Sequence, residues 1–598
     1  MTEYTIKDFL GIRCATGSSV SPDNKELIFL NNDSGTFQAY KVPINGGKKE
    51  QLTFYDEPVQ FCFYSPKEDK FVFGKDDSGK EQIQFYLFDL ETKKIELLTP
   101  NTATRYFGKW SEDGKLISYA SNEKNGKDFD IYVMNIETKE IKRVFENSGS
   151  CMPEAFSYSG DKLLVIKEHN NFNFDIYLID LKTNKSEHLT KHEGNARYFG
   201  FSWLKNDSGF FLISDQGQDS TGLFFYDLNK RKLMLKLNLE YSIEAYSLSN
   251  DQNKILITIN EEGYCSLKLY NANNFIELKE DSFPKGLYGN LSRIYSPKWA
   301  NNDKYLISDF QSSSKQPDIW LLDRELNKIT RITESKCGVK EDLFVEPKLI
   351  KYESFDGLKI PAFVYNPNKK GKVPAIVEIH GGPEFQSRPG FAPLLQYLLY
   401  KGYAVISPNI RGSTGYGKHY QSLDDREKRL DSVKDIEWLH KTITNMENID
   451  INKIALFGGS YGGYMVLICL ALQSNLWAAG VDMCGISNFI SFLKNTAEYR
   501  RSMREAEYGY LNKDEEMLKR FSPINYIENI KAPLFILQGK NDPRVPLSEA
   551  EQIYDGLKKL GRDVHLLVYE DEGHNIMKLK NRLDAYPKIA DFLDKHLK

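Results

Sequence analysis

A serine inside a glycine-rich pentapeptide is the first group in this sequence that could do chemistry. Gly458-Gly459-Ser460-Tyr461-Gly462 follows the apolar run 454–457 and precedes a second apolar run over 464–472. A buried strand, a sharp turn and a helix form the context in which a G-x-S-x-G motif exposes a serine hydroxyl. The glycines fit because such a turn needs strained backbone angles and close approach of two chain segments. The pattern predicts a nucleophile at Ser460, with a helix N-cap as the alternative role.

An acid and a base follow this serine, each just after an apolar strand. The run 533–537 leads into Asp542, and the run 564–569 leads into His574. The carboxyl ends of parallel strands meet at one edge of a sheet, and the order Ser, Asp, His is that of the α/β-hydrolase fold. We predict that His574 takes the hydroxyl proton and that Asp542 orients the imidazole. The alternative for Asp542 is a structural role in the turn that it forms with Pro543.

A fourth component lies upstream, after the apolar strand 373–379. This strand leads into His380-Gly381-Gly382-Pro383. A backbone N–H of this loop, paired with the N–H of Tyr461, would bind an oxyanion. We expect Gly382 to be the loop donor, with Gly381 as the second choice. His380 either lines the loop or packs beneath it, and we do not count it as catalytic.

The first half of the chain has a different character, because short strands recur there with shared turn sequences. Similar turns begin at seven positions spaced 44 to 51 residues apart: Ser21, Ser65, Ser111, Ser157, Leu204, Ser249 and Ala300. A period of about 40–50 residues with about four strands per repeat indicates a β-propeller. A two-sheet sandwich is the alternative, but it does not explain the even spacing.

These patterns predict a two-domain chain. We expect residues 1–16 to form a segment that packs on the hydrolase domain, with Phe9 and Leu10 on a short amphipathic helix. Residues 17–336 are predicted to form an all-β, seven-bladed β-propeller. Residues 337–598 are predicted to form a C-terminal α/β-hydrolase domain. Its sheet is predicted to begin with an antiparallel hairpin over 345–365.

Composition limits the partners and the compartment. The 598-residue chain has a net charge of −4, which gives no electrostatic reason to bind nucleic acid or an anionic membrane. No apolar run approaches the about 18 residues of a membrane span, and no signal peptide is recognisable. Seven scattered cysteines without C-x-x-C pairs favour free thiols in a reducing cytoplasm. We expect a cytoplasmic protein with no cofactor and no bound metal.

Taken together, the motifs resemble the prolyl oligopeptidase family of serine peptidases, and within it most closely the acylaminoacyl-peptidase branch. The matching segments are 380–383, 411–417, 458–464, 522–524, 541–546 and 570–574, and the resemblance spans essentially the whole chain. It implies a triad of Ser460, Asp542 and His574, with Gly382 and Tyr461 as oxyanion donors.

The resemblance also implies a set of substrate-binding residues. Arg544 would reach a substrate carbonyl or carboxylate, although a structural salt bridge is equally consistent with its position. Ile486, Phe489 and Phe492 occupy positions that line the S1 pocket in the family, which would favour an apolar P1 residue. Their spacing is also that of a helix core.

Two departures from the family pattern narrow the prediction. Other branches carry a tyrosine where this chain has His380, so no phenolic hydroxyl is expected in the oxyanion hole. The paired glutamates that capture a substrate amino terminus have no convincing equivalent here, since Glu261 and Glu262 lie in a hairpin-like turn. A strict dipeptidyl aminopeptidase is therefore disfavoured.

The resulting prediction is a serine peptidase that hydrolyses short peptides, acylaminoacyl-peptidase-like or an oligopeptidase, with the propeller gating access. The resemblance also leaves a homo-oligomer open. One alternative is a carboxylesterase, because acyl transfer to water uses the same triad. The other is a non-catalytic scaffold in which the propeller binds partners.

Overall fold

The structure, a computed structural model, describes residues 3–100, 102–278, 284–289 and 296–598. Seven small antiparallel sheets follow one another along the first half of the chain, and one eight-stranded sheet occupies the second half. Neighbouring small sheets contact each other in sequence, and β1 (Ala15–Val20) of the first contacts β28 (Lys315–Asp323) of the last. This closes a ring. The predicted fold, a seven-bladed β-propeller followed by an α/β-hydrolase domain, is confirmed.

The described blade strands have the following bounds. Blades 1 to 3 contain β1 Ala15–Val20, β2 Glu26–Asn31, β3 Gln38–Pro43 and β4 Glu50–Gln51; β5 Val59–Tyr64, β6 Lys70–Lys75, β7 Gln84–Asp89 and β8 Ile95–Leu97; and β9 Arg105–Trp110, β10 Leu116–Ser121, β11 Asp130–Asn135 and β12 Ile141–Phe145. Blades 4 and 5 contain β13 Ser150–Phe156, β14 Lys162–Asn170, β15 Asn173–Asp180 and β16 Lys185–His188; and β17 Tyr198–Trp203, β18 Gly209–Ser214, β19 Gly222–Asp227 and β20 Lys232–Leu237. Blades 6 and 7 contain β21 Ile243–Leu248, β22 Lys254–Glu261, β23 Tyr264–Asn271 and β24 Glu277–Leu278; and β25 Leu287–Tyr288, β26 Lys298–Ala300, β27 Tyr305–Ser312, β28 Lys315–Asp323 and β29 Lys328–Arg331.

The repeated turn residues have a structural role that explains their recurrence. The hydroxyl of Ser111 accepts a hydrogen bond of 2.9 Å from Leu116 N, and Ser249 does the same for Lys254 N. Each serine thereby closes the turn between the first two strands of its blade. The threonine that often ends a blade accepts a hydrogen bond from the third strand instead, as Thr99 does from Phe85 N at 2.8 Å. These local bonds favour the same register in every repeat.

The blades bury apolar side chains against their neighbours. Across the closure of the ring, Phe29 and Leu27 of blade 1 pack with Ile307 and Ile319 of blade 7. A single four-stranded sheet cannot cover both of its faces, so each blade depends on the next for its core.

The hydrolase sheet has the order β30-β31-β33-β32-β34-β35-β36-β37. Its strands are β30 Lys348–Glu353, β31 Lys359–Tyr365, β32 Val373–Ile379, β33 Ala404–Pro408, β34 Ile449–Gly459, β35 Ala479–Met483, β36 Leu534–Gly539 and β37 Val564–Tyr569. β31 pairs antiparallel with both β30 and β33, and all the remaining pairs of the sheet, from β33–β32 to β36–β37, are parallel. The helices, numbered from the amino terminus of the chain, are α1 Ile6–Leu10, α2 Pro393–Lys401, α3 Gly417–Gln421, α4 Arg429–Ile443, α5 Tyr461–Leu472, α6 Phe489–Asn495, α7 Glu498–Tyr508, α8 Glu515–Phe521, α9 Leu547–Lys559 and α10 Leu579–Leu597.

Helices cover both faces of this sheet, which is why its central strands are continuous apolar runs. In β32, Ala375 and Val377 face a core that α4, α5 and α9 complete. The intervening Ile376 faces a second core that includes residues of α2 and α10. Alternate side chains of one strand therefore anchor opposite helix layers.

The N-terminal helix contacts the hydrolase domain. Phe9 of α1 is fully buried, with its ring 5.5 Å from those of Tyr397 and Tyr400 in α2, and α1 also contacts α10. Strand β1 begins at Ala15, two residues before the expected start of the propeller at 17. Residues 1–2 of the predicted N-terminal segment lie outside the described residues.

Within the described ranges, none of the helices is both long enough and apolar enough to cross a bilayer. All seven cysteines are free thiols.

Candidate active site

The nucleophile candidate stands at a strained turn between β34 and α5. Ser460 has φ 57° and ψ −120°, and its N–H donates a 2.8 Å hydrogen bond to Met483 O in the neighbouring strand. A non-glycine residue in this region is strained and needs support from its surroundings. Gly462 allows the turn, because a Cβ there would overlap the carbonyl oxygen of Ile379. The glycine thus lets α5 approach the end of β32.

The acid and the base meet at the same edge of the sheet. His574 Nδ1–H donates a hydrogen bond of 2.6 Å to Asp542 Oδ2. The other carboxylate oxygen of Asp542 accepts bonds from Arg544 N at 2.8 Å and Val545 N at 3.0 Å. Both oxygens of this buried side chain are therefore engaged, which fixes the carboxylate and, through it, the imidazole.

Among the residues that the structure describes, no hydrogen bond joins Ser460 Oγ to His574. The catalytic hydrogen bond of such a pair is often long without substrate and shortens when substrate binds. The structure thus places Ser460 and the Asp542–His574 pair at the ends of β34, β36 and β37, one edge of one sheet.

Cys484 is a neighbour of the imidazole that the sequence reasoning missed. It follows β35, has φ 49°, and its Sγ donates to His574 O at 3.5 Å. Potential ligand atoms of Cys484, Asp542 and His574 lie within 4.8 Å of one another. The pKa of His574 is raised to about 10: burial opposes the protonated form, while Cys484 and Asp542 favour it and outweigh burial. Cys484 also follows the carboxyl end of a strand, so the rule that found Asp542 could have found it.

The expected oxyanion loop lies directly beside the serine. A Cβ on Gly381 would lie 3.4 Å from Ser460 Cβ. Within the described chain, the N–H groups of Gly382 and Tyr461 donate no hydrogen bond to other protein groups. They are therefore available to an oxyanion.

His380 is held by its surroundings. Its Nδ1 lies 2.7 Å from Gly381 O and its Nε2 lies 2.8 Å from Ser413 Oγ. Burial lowers the pKa of this imidazole to about 4 against the opposing effect of Gly381. A neutral side chain engaged at both nitrogens is suited to shaping the loop.

The three S1 candidates form part of an aromatic cluster. Ile486, Phe489 and Phe492 are at most 3 % exposed, in the core that contains α5. Phe489 lies 4.7 Å from the ring of Tyr508, whose hydroxyl donates to Gly382 O at 3.3 Å. The cluster thus reaches the oxyanion loop through Tyr508. The sequence pattern did not predict that Tyr508, the last residue of α7, contacts the oxyanion loop.

Arg544 pairs with a propeller residue. Its Nε binds Glu81 Oε1, and Glu81 also accepts a 3.3 Å hydrogen bond from Tyr499 OH. The arginine side chain remains 40 % exposed. This is the salt bridge expected as the alternative to substrate binding, and the exposed remainder still leaves donors for a ligand.

A second cluster of possible metal-ligating groups lies behind the aromatic cluster. Carboxylate oxygens of Asp424, Asp425 and Glu507 lie within 4.8 Å of one another. The buried Arg429 bonds to both Asp424 and Glu507 and supplies a positive charge to this group. In the described part of the chain, two groups have the spacing to hold a cation: Cys484 with Asp542 and His574, and Asp424 with Asp425 and Glu507.

Comparison with known proteins gives a consistent assignment. Residues 389–598 match the family model described as the prolyl oligopeptidase family. The chain is 23 % identical over 639 residues to dipeptidyl peptidase family member 6 of Caenorhabditis elegans, covering 97 % of this chain and 84 % of that one. It is 30 % identical over 256 residues to the acylamino-acid-releasing enzyme of Rattus norvegicus, covering 42 % and 35 %.

The fold is shared over the full length. The solved structure of a puromycin-hydrolysing peptidase of Mycobacterium tuberculosis matches with a TM-score of 0.85 and 17 % identity, covering 100 % of this chain and 96 % of that one. Residues 389–598 are thus similar in sequence to the prolyl oligopeptidase family, and the whole chain shares its propeller–hydrolase fold with this solved structure.

Proposed function

We propose that this peptidase hydrolyses short peptides through an acyl-enzyme on Ser460, with His574 as the base and Asp542 as the orienting acid. The observation that carries the proposal is the 2.6 Å contact between His574 and Asp542 at the sheet edge where Ser460 is held in its strained turn. These three groups, in this chain order, are those that acyl transfer requires.

The chemistry follows from the roles of the groups. Ser460 Oγ attacks the scissile carbonyl carbon while the imidazole of His574 accepts the hydroxyl proton. The N–H groups of Gly382 and Tyr461 bind the tetrahedral oxyanion. The C–N bond then breaks as His574 returns the proton to the leaving amine, and water repeats the sequence to release the acid.

The propeller supports a limit on substrate size. Its central cavity has a volume of about 830 Å³ and is lined by the first strands of blades 1 to 6 and by β26 and β27 of blade 7. At one end it meets residues 384–386 and 414–415 of the hydrolase domain, which include the continuation of the oxyanion loop. A cavity of this size is within the range of about 300–1,000 Å³ that buries small ligands. We propose that short peptides enter and folded proteins do not.

A fluorophosphonate probe tests the nucleophile. Wild-type protein should label, Ser460→Ala should not, and Asp542→Asn should lose about 10³- to 10⁴-fold in kcat while it stays folded. Wild-type protein that never labels would favour the scaffold alternative.

The scissile bond is tested with matched substrates. We expect hydrolysis of peptide anilides, and activity on simple nitrophenyl esters alone would favour the carboxylesterase. A product profile from a mixed peptide library then distinguishes release of an acylated residue from release of a dipeptide or from internal cleavage.

A further inference from the structure

Helix α7 spans the two loops that carry the proposed chemistry. Just before its start, Ala497 N donates to Pro543 O at 3.0 Å and Thr496 Oγ1 donates to Arg544 O at 2.8 Å, both on the loop after Asp542. At its end, Tyr508 OH donates to Gly382 O in the oxyanion loop. The helix therefore connects the loop after Asp542 with the oxyanion loop.

Two arginines on one face of this helix join Arg544 in a cationic group. Arg500 and Arg504 are four residues apart, so they share a face. Arg504 pairs with Glu384 at 3.4 Å, and Arg544 pairs with Glu81. We call Arg500, Arg504 and Arg544 the arginine cluster.

Among the described residues, Arg500 is the member of the cluster without an ion-pair partner of its own. In the described part of the chain its guanidinium makes no hydrogen bond and no ion pair, and its Nε is buried without a partner. Three guanidiniums thus face two carboxylates, Glu81 and Glu384. Burial and the neighbouring charges of Arg544 and Arg504 lower the pKa of Arg500. A cation in this position is unfavourable until an anion joins it.

The chemistry of the cluster selects the anion. The planar guanidinium presents paired N–H donors that match the two oxygens of a carboxylate. The proposed substrates are peptides, whose carboxylates are the C-terminal group and the side chains of Asp and Glu. Both sources present the same oxygen pair to Arg500.

We propose that Arg500 binds a carboxylate of the peptide substrate and so selects peptides that carry a negative charge near the scissile bond. This inference rests on the proposed peptidase function and adds a substrate class to it. Arg504 and Arg544, already paired with carboxylates, keep Arg500 from pairing elsewhere by holding Glu384 and Glu81 in place.

The test compares four peptides of one sequence. The first ends in a free carboxylate, the second in an amide; the third and fourth are amidated and carry Glu or Gln at a position flanking the cleaved bond. We expect the preferred carboxylate form to exceed its neutral partner by about 10- to 100-fold in kcat/KM, the effect of one charge-assisted hydrogen bond. A ratio of this size between the first two peptides would identify the C-terminal carboxylate as the group that binds. The same ratio between the third and fourth peptides would identify the side-chain carboxylate.

The matched variants are Arg500→Gln and Arg501→Gln, which remove the same charge from adjacent positions. Arg501 donates to Lys494 O at an exposed site, so its variant should keep the wild-type ratio. Arg500→Gln should reduce the ratio to about 1. Because Arg500 has no partner to lose, its variant should also melt no earlier than wild type. Equal rates on all four peptides, or the same ratio in both variants, would overturn the inference.

The same peptides separate this inference from the proposed function. Hydrolysis of the amidated neutral peptide and fluorophosphonate labelling report the peptidase function alone. Should turnover fail, calorimetric affinity of the Ser460→Ala protein for the carboxylate and amide forms still measures the contribution of Arg500. Equal affinities would then overturn the inference.

Discussion

We expect the imidazole of His574, the proposed general base, to set the pH dependence of activity. A general base must be neutral to accept the serine proton, so kcat/KM should rise as pH passes upward through the pKa of His574. Because Cys484 and Asp542 raise that pKa above its ordinary value, the rising limb should lie at higher pH than for an unperturbed histidine.

The variant Cys484→Ser tests this environment. Serine keeps the size of the side chain but removes one of the groups that favour the protonated imidazole. The pKa of His574 should therefore fall, and the rising limb of the kcat/KM profile should move to lower pH. Cys337→Ser is the control, since this half-buried thiol bonds to Val339 O away from the site. An unchanged limb, or one that moves to higher pH, would contradict the assignment.

At the scale of elements, the loop between β6 and β7 of the propeller contacts the loops that carry the proposed triad residues Asp542 and His574. Ser78 O accepts a 3.0 Å hydrogen bond from Asn541 Nδ2, beside Asp542. Gly79, with φ 78°, packs so closely on the histidine loop that a Cβ would overlap the backbone N of Gly573. One blade turn therefore contacts both the acid loop and the base loop.

Gly79→Ala should displace the loop that carries His574. We expect kcat/KM to fall by at least about 10-fold, because displacements of about 1 Å at a reacting group cost about 10²-fold. Gly126→Ala is the matched control, since Gly126 has φ 75° and a Cβ there would meet no atom of the described residues within 4 Å. That control should lose only about 1–2 kcal/mol of stability from backbone strain. Equal activity in the two variants would argue against support from the propeller loop.

The contact of α1 with the hydrolase domain is a second element-scale feature. Phe9 is fully buried against Phe344, Tyr397 and Tyr400. Phe9→Ala should destabilise the fold by about 3–5 kcal/mol through lost burial and a residual cavity. Lys7→Ala, at an exposed position of the same helix, should leave the melting temperature near that of wild type. Calorimetry checks both, and equal melting temperatures would show that α1 adds little.

For the whole molecule, the proposed limit on substrate size makes substrate length the quantity to measure. The propeller cavity of about 830 Å³ meets residues 384–386, which follow the oxyanion loop. Charge pairs such as Arg388–Glu244 and Lys578–Glu57, both at 2.7 Å, join the two domains. These contacts hold the ring over the catalytic edge.

We expect kcat/KM to decline steeply once peptides exceed the length that the cavity admits. Peptides of increasing length with one cleavable bond, compared with native casein, measure this. Casein digested as fast as the short peptides would contradict gating by the propeller.

The sequence by itself determined the architecture and the triad candidates, because both are written in local patterns. The period of the serine turns indicated seven blades, and the positions of Ser460, Asp542 and His574 after apolar strands predicted a catalytic triad. These patterns can be recognised in the sequence because each of them depends on residues that are close together along the chain.

Only the tertiary structure decided which distant groups face the site. Tyr508 reaches the oxyanion loop from α7, and Glu81 reaches the loop after Asp542 from a propeller loop more than 400 residues before its partner Arg544. No spacing along the chain encodes these contacts, since they arise from the packing of one domain on another. Within the described residues, only the tertiary structure shows that Arg504 and Arg544 have ion-pair partners and that Arg500 does not.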